Sequence, residues 1–290
     1  AFPLGTTTNT FEVTDASGNT STCSFDVVIS DDEAPTASNP AATNVECSSD
    51  IPAVDITVVT DESDNCTGSP TVAFVSESTD GGSNPETITR TYSVTDAAGN
   101  SITVTHTIVV NDVSDPVITS CPTNITQDTD ASASTAVVTY TVPAFTDNCG
   151  ATINQTAGQA SGTAFPIGTT TNTFEVTDGA GNTATCSFDV TVEDNEDPAI
   201  TCPGDINAGV DTGNCSAVVS YTAPVGTDNA TGSTTTQTAG LPSGSAFPLG
   251  TTTNTFEVTD ASGNTSTCSF DVVISDDEAP TASNPAATNV

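Results

Sequence analysis

Positively charged residues are almost absent from this 290-residue chain. Arg90 is the only Lys or Arg against 37 Asp and Glu, so the formal net charge is −36. Nucleic acids and anionic membrane surfaces are excluded as partners, because both are bound through Lys and Arg. General acid–base catalysis mostly uses His and Lys, and stabilisation of oxyanions commonly uses Arg and Lys. His106 is the only histidine of the chain. The composition predicts that the protein is not an enzyme, with chemistry by a carboxylate pair as the one open alternative.

Met, Trp and long apolar runs are also missing. No apolar stretch reaches about 18 residues, so the sequence predicts no membrane insertion within this segment. Hydrophobic residues make up 34% of the chain, which together with the charge is typical of disorder. The short runs TFEVTD, CSFDVVI and ITVTHTIVV instead alternate apolar and polar residues between Gly, Asn, Asp and Pro. This period of two predicts β-strands and an all-β fold, in which His106 is a core or half-buried residue and not a ligand.

The chain repeats itself at two scales. Residues 1–45 and 246–290 are identical, which gives a period of 245 residues. Within that period a Pro follows an acidic cluster at spacings of 81, 82 and 82 residues: Pro35, Pro116, Pro198 and Pro280. Such a period indicates an array of similar domains, cut here from a longer chain. The predicted boundaries are 1–34 for the C-terminal part of one domain, then 35–115, 116–197 and 198–279, and 280–290 for the start of the next.

Each predicted domain contains six or seven short strand-like runs separated by turn residues. This pattern favours tandem immunoglobulin-like β-sandwiches placed end to end. A domain of about 82 residues has a small core, so we expect additional cross-links such as disulfides.

Five motifs recur in register along the chain: an opening CP, a TDN turn, FP-x-GTT, TD-x-x-GN and TCSF. Together they resemble the HYR (hyalin repeat) family of Ig-like domains. Residues 35–115 resemble a more divergent bacterial variant, with Val104 and His106 where TCSF has its Cys and Phe. Long HYR arrays without Lys resemble giant cell-surface adhesins of Bacteroidota, including flavobacterial gliding adhesins.

The resemblance implies an extracellular, non-catalytic module at the cell surface. Near-exact copying of domains favours a structural stalk of an adhesin filament, because copies supply length. Acidic linkers with a Pro are stiff, and we expect an extended rod that advances roughly 110–120 Å per 245-residue unit. The partners are then neighbouring repeats of the chain and a surface ligand bound elsewhere in it. The alternative is that the Ig-like modules themselves grip a glycan or a protein.

Nine cysteines are present, and none forms a CxxC pair. A zinc site is therefore disfavoured, and disulfides of an oxidising compartment are expected. In an Ig-like topology the CP cysteine and the TCSF cysteine lie near the same end of a domain, and only one pair is available within 35–115. The predicted disulfides are Cys121–Cys186, Cys202–Cys268 and Cys47–Cys66.

Three cysteines are left without a predicted partner in this sequence. Cys23 matches Cys268, so its partner would precede the sequence. Cys149 and Cys215 have no evident partner and are predicted to be free thiols. An alternative for Cys149 is that it competes with Cys121 for Cys186.

Acidic residues recur in three registers: the linker before each Pro, the TDN-type turn and the TD-x-x-GN hairpin. In an Ig-like sandwich these segments meet at one end of a domain, and converging oxygens without cations suit Ca²⁺. Asn65, Asn148 and Asn229 follow the turn Asp and add amide oxygens. The linker also resembles the Ca²⁺-binding junction of cadherins; the alternative is that these residues only form Asx turns. The predicted inter-domain Ca²⁺ ligands are Asp31, Glu33, Asp64, Asp96, Asp112, Asp115, Asp147, Asp178, Asp194, Glu196, Asp197, Asp228, Asp260, Asp276 and Glu278.

Overall fold

A computed structural model describes residues 1–66 and 68–283 of the protein. Within these residues the regular elements are β-strands, with 3₁₀ turns at Ser48–Asp50 and Ile56–Val58, and no helix is long and apolar enough to cross a membrane. The predicted all-β class is confirmed. Two compact units form: one holds Ala1–Ile118, Phe145–Ile153 and Val176–Ala184, and the other holds Thr119–Ala144, Asn154–Glu175 and the described residues from Thr185 onward.

The first six strands belong to the first unit. They are β1 (Gly5–Thr14), β2 (Thr20–Ile29), β3 (Thr43–Val45), β4 (Thr71–Thr79), β5 (Glu86–Thr95) and β6 (Ser101–Val110). β1 pairs with β2 as an antiparallel hairpin, and the other four form a sheet in the order β3-β6-β5-β4. Alternate residues of β5 and β6 point inward, so Tyr92, Val94 and Val104 pack with Val59. His106 is buried, as predicted, and its Nε2 lies 2.9 Å from Thr43 Oγ1.

The next eight strands follow the same plan of short strands and long hairpins. They are β7 (Val117–Ser120), β8 (Ile125–Asp128), β9 (Thr135–Val138), β10 (Ala144–Thr146), β11 (Ala151–Ala157), β12 (Thr163–Pro166), β13 (Gly168–Asp178) and β14 (Thr183–Glu193). The strand orders are β11-β13-β14-β8, β12-β9 and β10-β7. The ring of Tyr140 packs edge-on against Phe188 at 4.9 Å, inside the second unit.

The last six strands build a sandwich within the second unit. They are β15 (Ile206–Gly209), β16 (Ser216–Val219), β17 (Thr234–Ala239), β18 (Ser245–Pro248), β19 (Gly250–Thr259) and β20 (Thr265–Ser275). A sheet ordered β15-β20-β19-β17 faces the pair β16-β18. Phe247 from the pair packs with Phe256 and Phe270 from the sheet, so the core lies between the two layers. The acidic residues of the linker, the TDN-type turn and the hairpin lie outside this core, at strand ends and in turns.

Candidate metal centres

Nine of the predicted acidic ligands meet in three clusters of the same design. In each cluster one carboxylate oxygen of every member lies within 4.8 Å of the others. Each cluster takes one Asp from an acidic linker, one from a TDN-type turn and one from a TD-x-x-GN hairpin. The first cluster is Asp31, Asp64 and Asp96; the second is Asp112, Asp147 and Asp178; the third is Asp194, Asp228 and Asp260.

The hairpin Asp is fixed by its own turn. In the third cluster, Asp260 Oδ1 accepts the backbone N–H groups of Ser262, Gly263 and Asn264 at 2.9, 2.6 and 2.8 Å, and Asn264 Nδ2 donates to Oδ2 at 2.8 Å. Gly263 has a φ of +99°, which is why the motif needs Gly there. Burial opposes ionisation of Asp260, but these hydrogen bonds outweigh it and lower its pKa. The hairpin therefore presents a charged carboxylate.

The same hairpin anchors the acidic linker. Asn264 Nδ2 also donates to the backbone oxygen of Asp194 at 2.9 Å. In the first cluster Asn100 Nδ2 donates to the backbone oxygen of Asp31 at 3.0 Å. The Asn of TD-x-x-GN is thus a positioning residue that sequence reasoning missed. Its recurrence at a fixed distance from the hairpin Asp was the available signal.

The turn Asp uses one oxygen for its turn and leaves the other for the cluster. Asp228 Oδ2 accepts the backbone N–H of Ala230 at 2.8 Å, and Asp147 Oδ2 accepts that of Cys149 at 2.9 Å. The Oδ1 atoms of Asp147 and Asp228 are buried and have no hydrogen-bond partner among the described residues.

The linker Asp of the third cluster is the most enclosed of its members. Asp194 is 5% exposed, and its Oδ1 accepts the N–H of Glu196 at 3.3 Å and Nδ2 of Asn229 at 3.4 Å. Its Oδ2 and the Oδ1 of Asn229 are buried without a partner in the described part of the chain. The third cluster thus contains three acceptor oxygens without a donor among the described residues, one each from Asp194, Asp228 and Asn229.

These residues fit a divalent cation bound through oxygen. Burying an acceptor without a donor is unfavourable, and neighbouring carboxylates repel one another. The chain's one guanidinium does not relieve this, because Arg90 is buried and its Nε donates to Glu77 at 2.6 Å. Ca²⁺ binds carboxylate and amide oxygens, so one ion would both coordinate the acceptors that lack a donor and offset the repulsion between the carboxylates.

The other six predicted ligands lie outside these clusters within the described residues, and four of them have their own contacts. Glu33 Oε2 accepts Nδ2 of Asn65 at 2.6 Å. Glu196 Oε2 accepts the N–H of Ser132 at 2.8 Å. These acidic side chains hold neighbouring loops through hydrogen bonds. The six residues are Glu33, Asp115, Glu196, Asp197, Asp276 and Glu278.

The described part of the chain contains three disulfides. Cys121–Cys186 and Cys202–Cys268 are the pairs that the sequence predicts. The predicted pair Cys47–Cys66 is wrong, because Cys47 is bonded to Cys149 with a Cα–Cα distance of 5.2 Å.

The prediction of a free Cys149, or of a Cys149–Cys186 bond, is therefore wrong as well. Both errors assumed that a disulfide closes within one repeat. Cys149 follows a turn whose Asn148 Nδ2 donates to Oε2 of Glu46 at 2.6 Å, and this contact brings Cys149 to Cys47.

Family models match most of the chain. Residues 111–192 and 193–274 match the HYR domain, and residues 35–110 match the HYR-like domain with 4 cysteines. The chain therefore belongs to the HYR domain family.

Curated relatives include the hyalins of two sea urchins. The chain is 36% identical to hyalin of Strongylocentrotus purpuratus over 155 residues, which is 52% of this chain and 13% of that protein. It is 34% identical to hyalin of Lytechinus variegatus over 167 residues, 56% of this chain and 31% of that protein. The chain thus spans less than a third of these relatives. Among solved structures, three extracellular cadherin domains of Drosophila N-cadherin cover 83% of this chain at 12% identity and a TM-score of 0.35, with all of that chain matched.

Proposed function

We propose that this chain is a stalk segment of a long extracellular adhesin, built from the HYR domains 35–115, 116–197 and 198–279 and stiffened by Ca²⁺ at the three Asp clusters. The observation that carries the proposal is the repetition of one oxygen-rich cluster at matching points of the sequence. In the second and third clusters, buried acceptor oxygens have no donor among the described residues. No catalytic role is assigned, because Arg90 is paired with Glu77 and His106 is buried.

In the third cluster the ion would be held by Asp194, Asp228, Asn229 and Asp260. These residues come from a linker, a turn and a hairpin that are distant in sequence, so one ion joins three chain segments. A ligand that binds only the assembled cluster stabilises it by mass action. Without the ion, repulsion among three carboxylates favours separation of those segments.

The display of an adhesive element elsewhere in the chain belongs to the same proposal. Linkers such as EDNEDP contain acidic residues and a Pro, which restricts both its own φ and the preceding residue. The strong negative charge keeps neighbouring filaments apart in solution. Surface attachment or gliding is an extension of this proposal that rests only on the expected likeness to bacterial adhesins. The curated relatives named above are sea-urchin proteins.

Calcium titration of the full chain tests the stalk proposal. We expect Ca²⁺ binding by calorimetry and a higher melting temperature with Ca²⁺ than with EGTA, because binding to the folded state adds RT ln(1 + [L]/Kd). At a free Ca²⁺ concentration of about 100 times Kd, this gain is about 2.7 kcal/mol for each site. Asp228→Asn should weaken Ca²⁺ binding at the third cluster and leave the other two clusters unchanged.

Asp50→Asn is the matched control, since Asp50 is exposed and lies outside the three clusters within the described residues. It should leave calcium binding unchanged. Equal melting curves in Ca²⁺ and EGTA would contradict the proposal of Ca²⁺ stiffening. Scattering that shows a collapsed particle in Ca²⁺ would contradict the stalk and favour modules that grip a ligand directly.

A further inference from the structure

Cys66 and Cys215 form no disulfide in the described part of the chain. Residues 1–45 reappear as 246–290, so the sequence repeats over 45 residues at an offset of 245, as expected of a chain built from consecutive 245-residue units. In a chain with consecutive units, each of these cysteines acquires neighbours from the adjoining unit. The structure contains two other copies of the relevant arrangement, and both show which residues come together.

The first reference is the disulfide at the second cluster. Asn148 Nδ2 donates to Oε2 of Glu46 at 2.6 Å, and the next residue of each segment, Cys149 and Cys47, forms the bond. The Asn that follows the turn Asp therefore reaches the residue just before the bonded cysteine.

The second reference is the third cluster, which has no cysteine at the corresponding place. Asn229 Nδ2 donates to the backbone oxygen of Ala133 at 2.8 Å. The residues that follow are Ala230 and Ser134. By analogy with the second cluster, these two positions lie where a disulfide would bridge the turn and the loop.

Cys66 occupies the position of Ala230 in the first cluster. Its backbone N–H donates to Oδ2 of Asp64 at 2.8 Å, as that of Ala230 donates to Asp228 at 2.8 Å. The cysteine thus follows the same Asx turn at the same distance from the turn Asp.

Cys215 occupies the position of Ser134. Both lie in a loop closed by an Asp that accepts the backbone N–H seven residues later: Val137 to Asp130 Oδ2 at 2.9 Å, and Val218 to Asp211 Oδ2 at 2.9 Å.

Both loops also touch the next acidic linker through a Glu. The N–H of Ser132 donates to Glu196 Oε2 at 2.8 Å, and that of Gly213 donates to Glu278 Oε2 at 3.0 Å. The loop of Cys215 is therefore set against the linker 276–278 as the loop of Ser134 is set against 194–196.

We propose that Cys215 of one 245-residue unit forms a disulfide with Cys66 of the following unit. The two thiols lose two protons and two electrons, which reduce one molecule of a small disulfide such as oxidised glutathione to two thiols. Of the three recurring linkers in a unit, two are then bridged covalently, one by Cys47–Cys149 and one by Cys215–Cys66. The third, with Ser134 and Ala230, relies on hydrogen bonds and its acidic cluster.

The geometry is tested in the present chain by Ser134→Cys combined with Ala230→Cys. The wild type has three free thiols, Cys23, Cys66 and Cys215. After oxidation with glutathione and unfolding in denaturant, the double variant should again show three, because the two new thiols bond. Either single variant should show four. Five free thiols in the double variant would overturn the proposed geometry.

The bond itself is tested in an extended chain in which residues 46–290 follow residue 290. Three free thiols are expected: Cys23 and Cys66 of the first unit and Cys215 of the last. Five would overturn the proposal. Cys215→Ser in the first unit should expose the second unit's Cys66 and give four free thiols.

Peptide mapping under non-reducing conditions, with a protease that cleaves after both Asp and Glu, identifies the bonds. Asp128 and Asp147 lie between Cys121 and Cys149, and Asp205 and Asp211 lie between Cys202 and Cys215, so each cysteine is on its own peptide. The Cys47–Cys149 bond in both units reports that the linkers are assembled. If that bond forms in both units and no peptide that links Cys215 to Cys66 is found, the proposal is wrong. Scrambled Cys47–Cys149 pairing in the extended chain also counts against it, since the proposed bond requires correctly assembled linkers.

Discussion

Residues 1–34 and 246–279 share one sequence but differ in burial. Both contain a ten-pair hairpin with the same register, Gly5 opposite Ile29 in β1–β2 and Gly250 opposite Ile274 in β19–β20. Phe11 is 57% exposed, whereas its counterpart Phe256 is 4% exposed. In the described structure β1 and β2 pair only with each other, while β19 and β20 lie between β17 and β15 and under β16–β18. Local sequence thus sets the hairpin, and the partner strands set the core.

The acidic turns of these two hairpins teach the same lesson. Asp15 accepts the backbone N–H of Ser17 and Asn19, as Asp260 accepts those of Ser262 and Asn264. Only Asp260 also belongs to a cluster. The six residues of the TD-x-x-GN hairpin are therefore enough to fix the carboxylate of its Asp. A cluster forms only where an acidic linker and a TDN-type turn also lie next to that carboxylate.

The largest expected difference between the two copies is the loss of stability when the Phe at the matching position, Phe270 or Phe25, is removed. Phe270→Ala removes a side chain that is 3% exposed and should cost about 3–5 kcal/mol of unfolding free energy. Phe25→Ala is the matched control in the exposed copy and should change stability by less than about 0.5 kcal/mol. Native-state hydrogen exchange of the β20 and β2 amides measures both. Similar losses in the two variants would show that the β1–β2 hairpin has its own packed core.

A smaller difference is expected from the Asn of the hairpin. Asn264→Ala removes the side-chain bonds to the backbone of Asp194 and to Asp260, and buried partners left without a donor cost about 1–3 kcal/mol. Asn19→Ala removes only the exposed bond to Asp15 and should cost less than about 0.5 kcal/mol. Thermal unfolding in EGTA separates this effect from ion binding. Equal costs in the two copies would mean that Asn264 does not hold the linker.

Strands, repeats and acidic registers were predictable because each depends on residues close in sequence. Alternation within ITVTHTIVV gives a strand wherever it occurs, and a 45-residue identity needs no structure to be seen. The choice among fifteen candidate acids was not predictable, because proximity in a linker does not say which side chain turns inward. Asp194 enters its cluster, while Glu196, two residues on, bonds to Ser132.

The disulfides also differ in whether they were predictable from the sequence. Cys202–Cys268 follows from the topology of a single sandwich, with a sequence separation of 66 between the partners. Cys47–Cys149 spans 102 residues and depends on how one repeat's turn meets the preceding repeat's sheet end. A sequence pattern does not tell how far the turn of one repeat lies from the sheet end of the repeat before it. The boundaries 35–115, 116–197 and 198–279 likewise stay predictions, since contacts group the chain into two units.

The smallest expected effect concerns pH in the exposed hairpin, where no cluster complicates the titration. The Asn19 side chain and backbone N–H groups lower the pKa of Asp15 below its ordinary value, against a lesser opposing effect of burial. Because the folded pKa is the lower one, this carboxylate stabilises the turn above its unfolded pKa of about 3.9, and the contribution is lost as pH falls through the folded pKa. Asn19→Ala should therefore raise the pKa of Asp15 toward the ordinary value, measured by NMR titration of its carboxyl carbon. The Gly18 amide, which bonds to the backbone oxygen of Asp15, should shift at the same pH. An unchanged Asp15 pKa in that variant would mean that the backbone N–H groups alone lower it, and that the Asn19 side chain has no electrostatic role in the exposed hairpin.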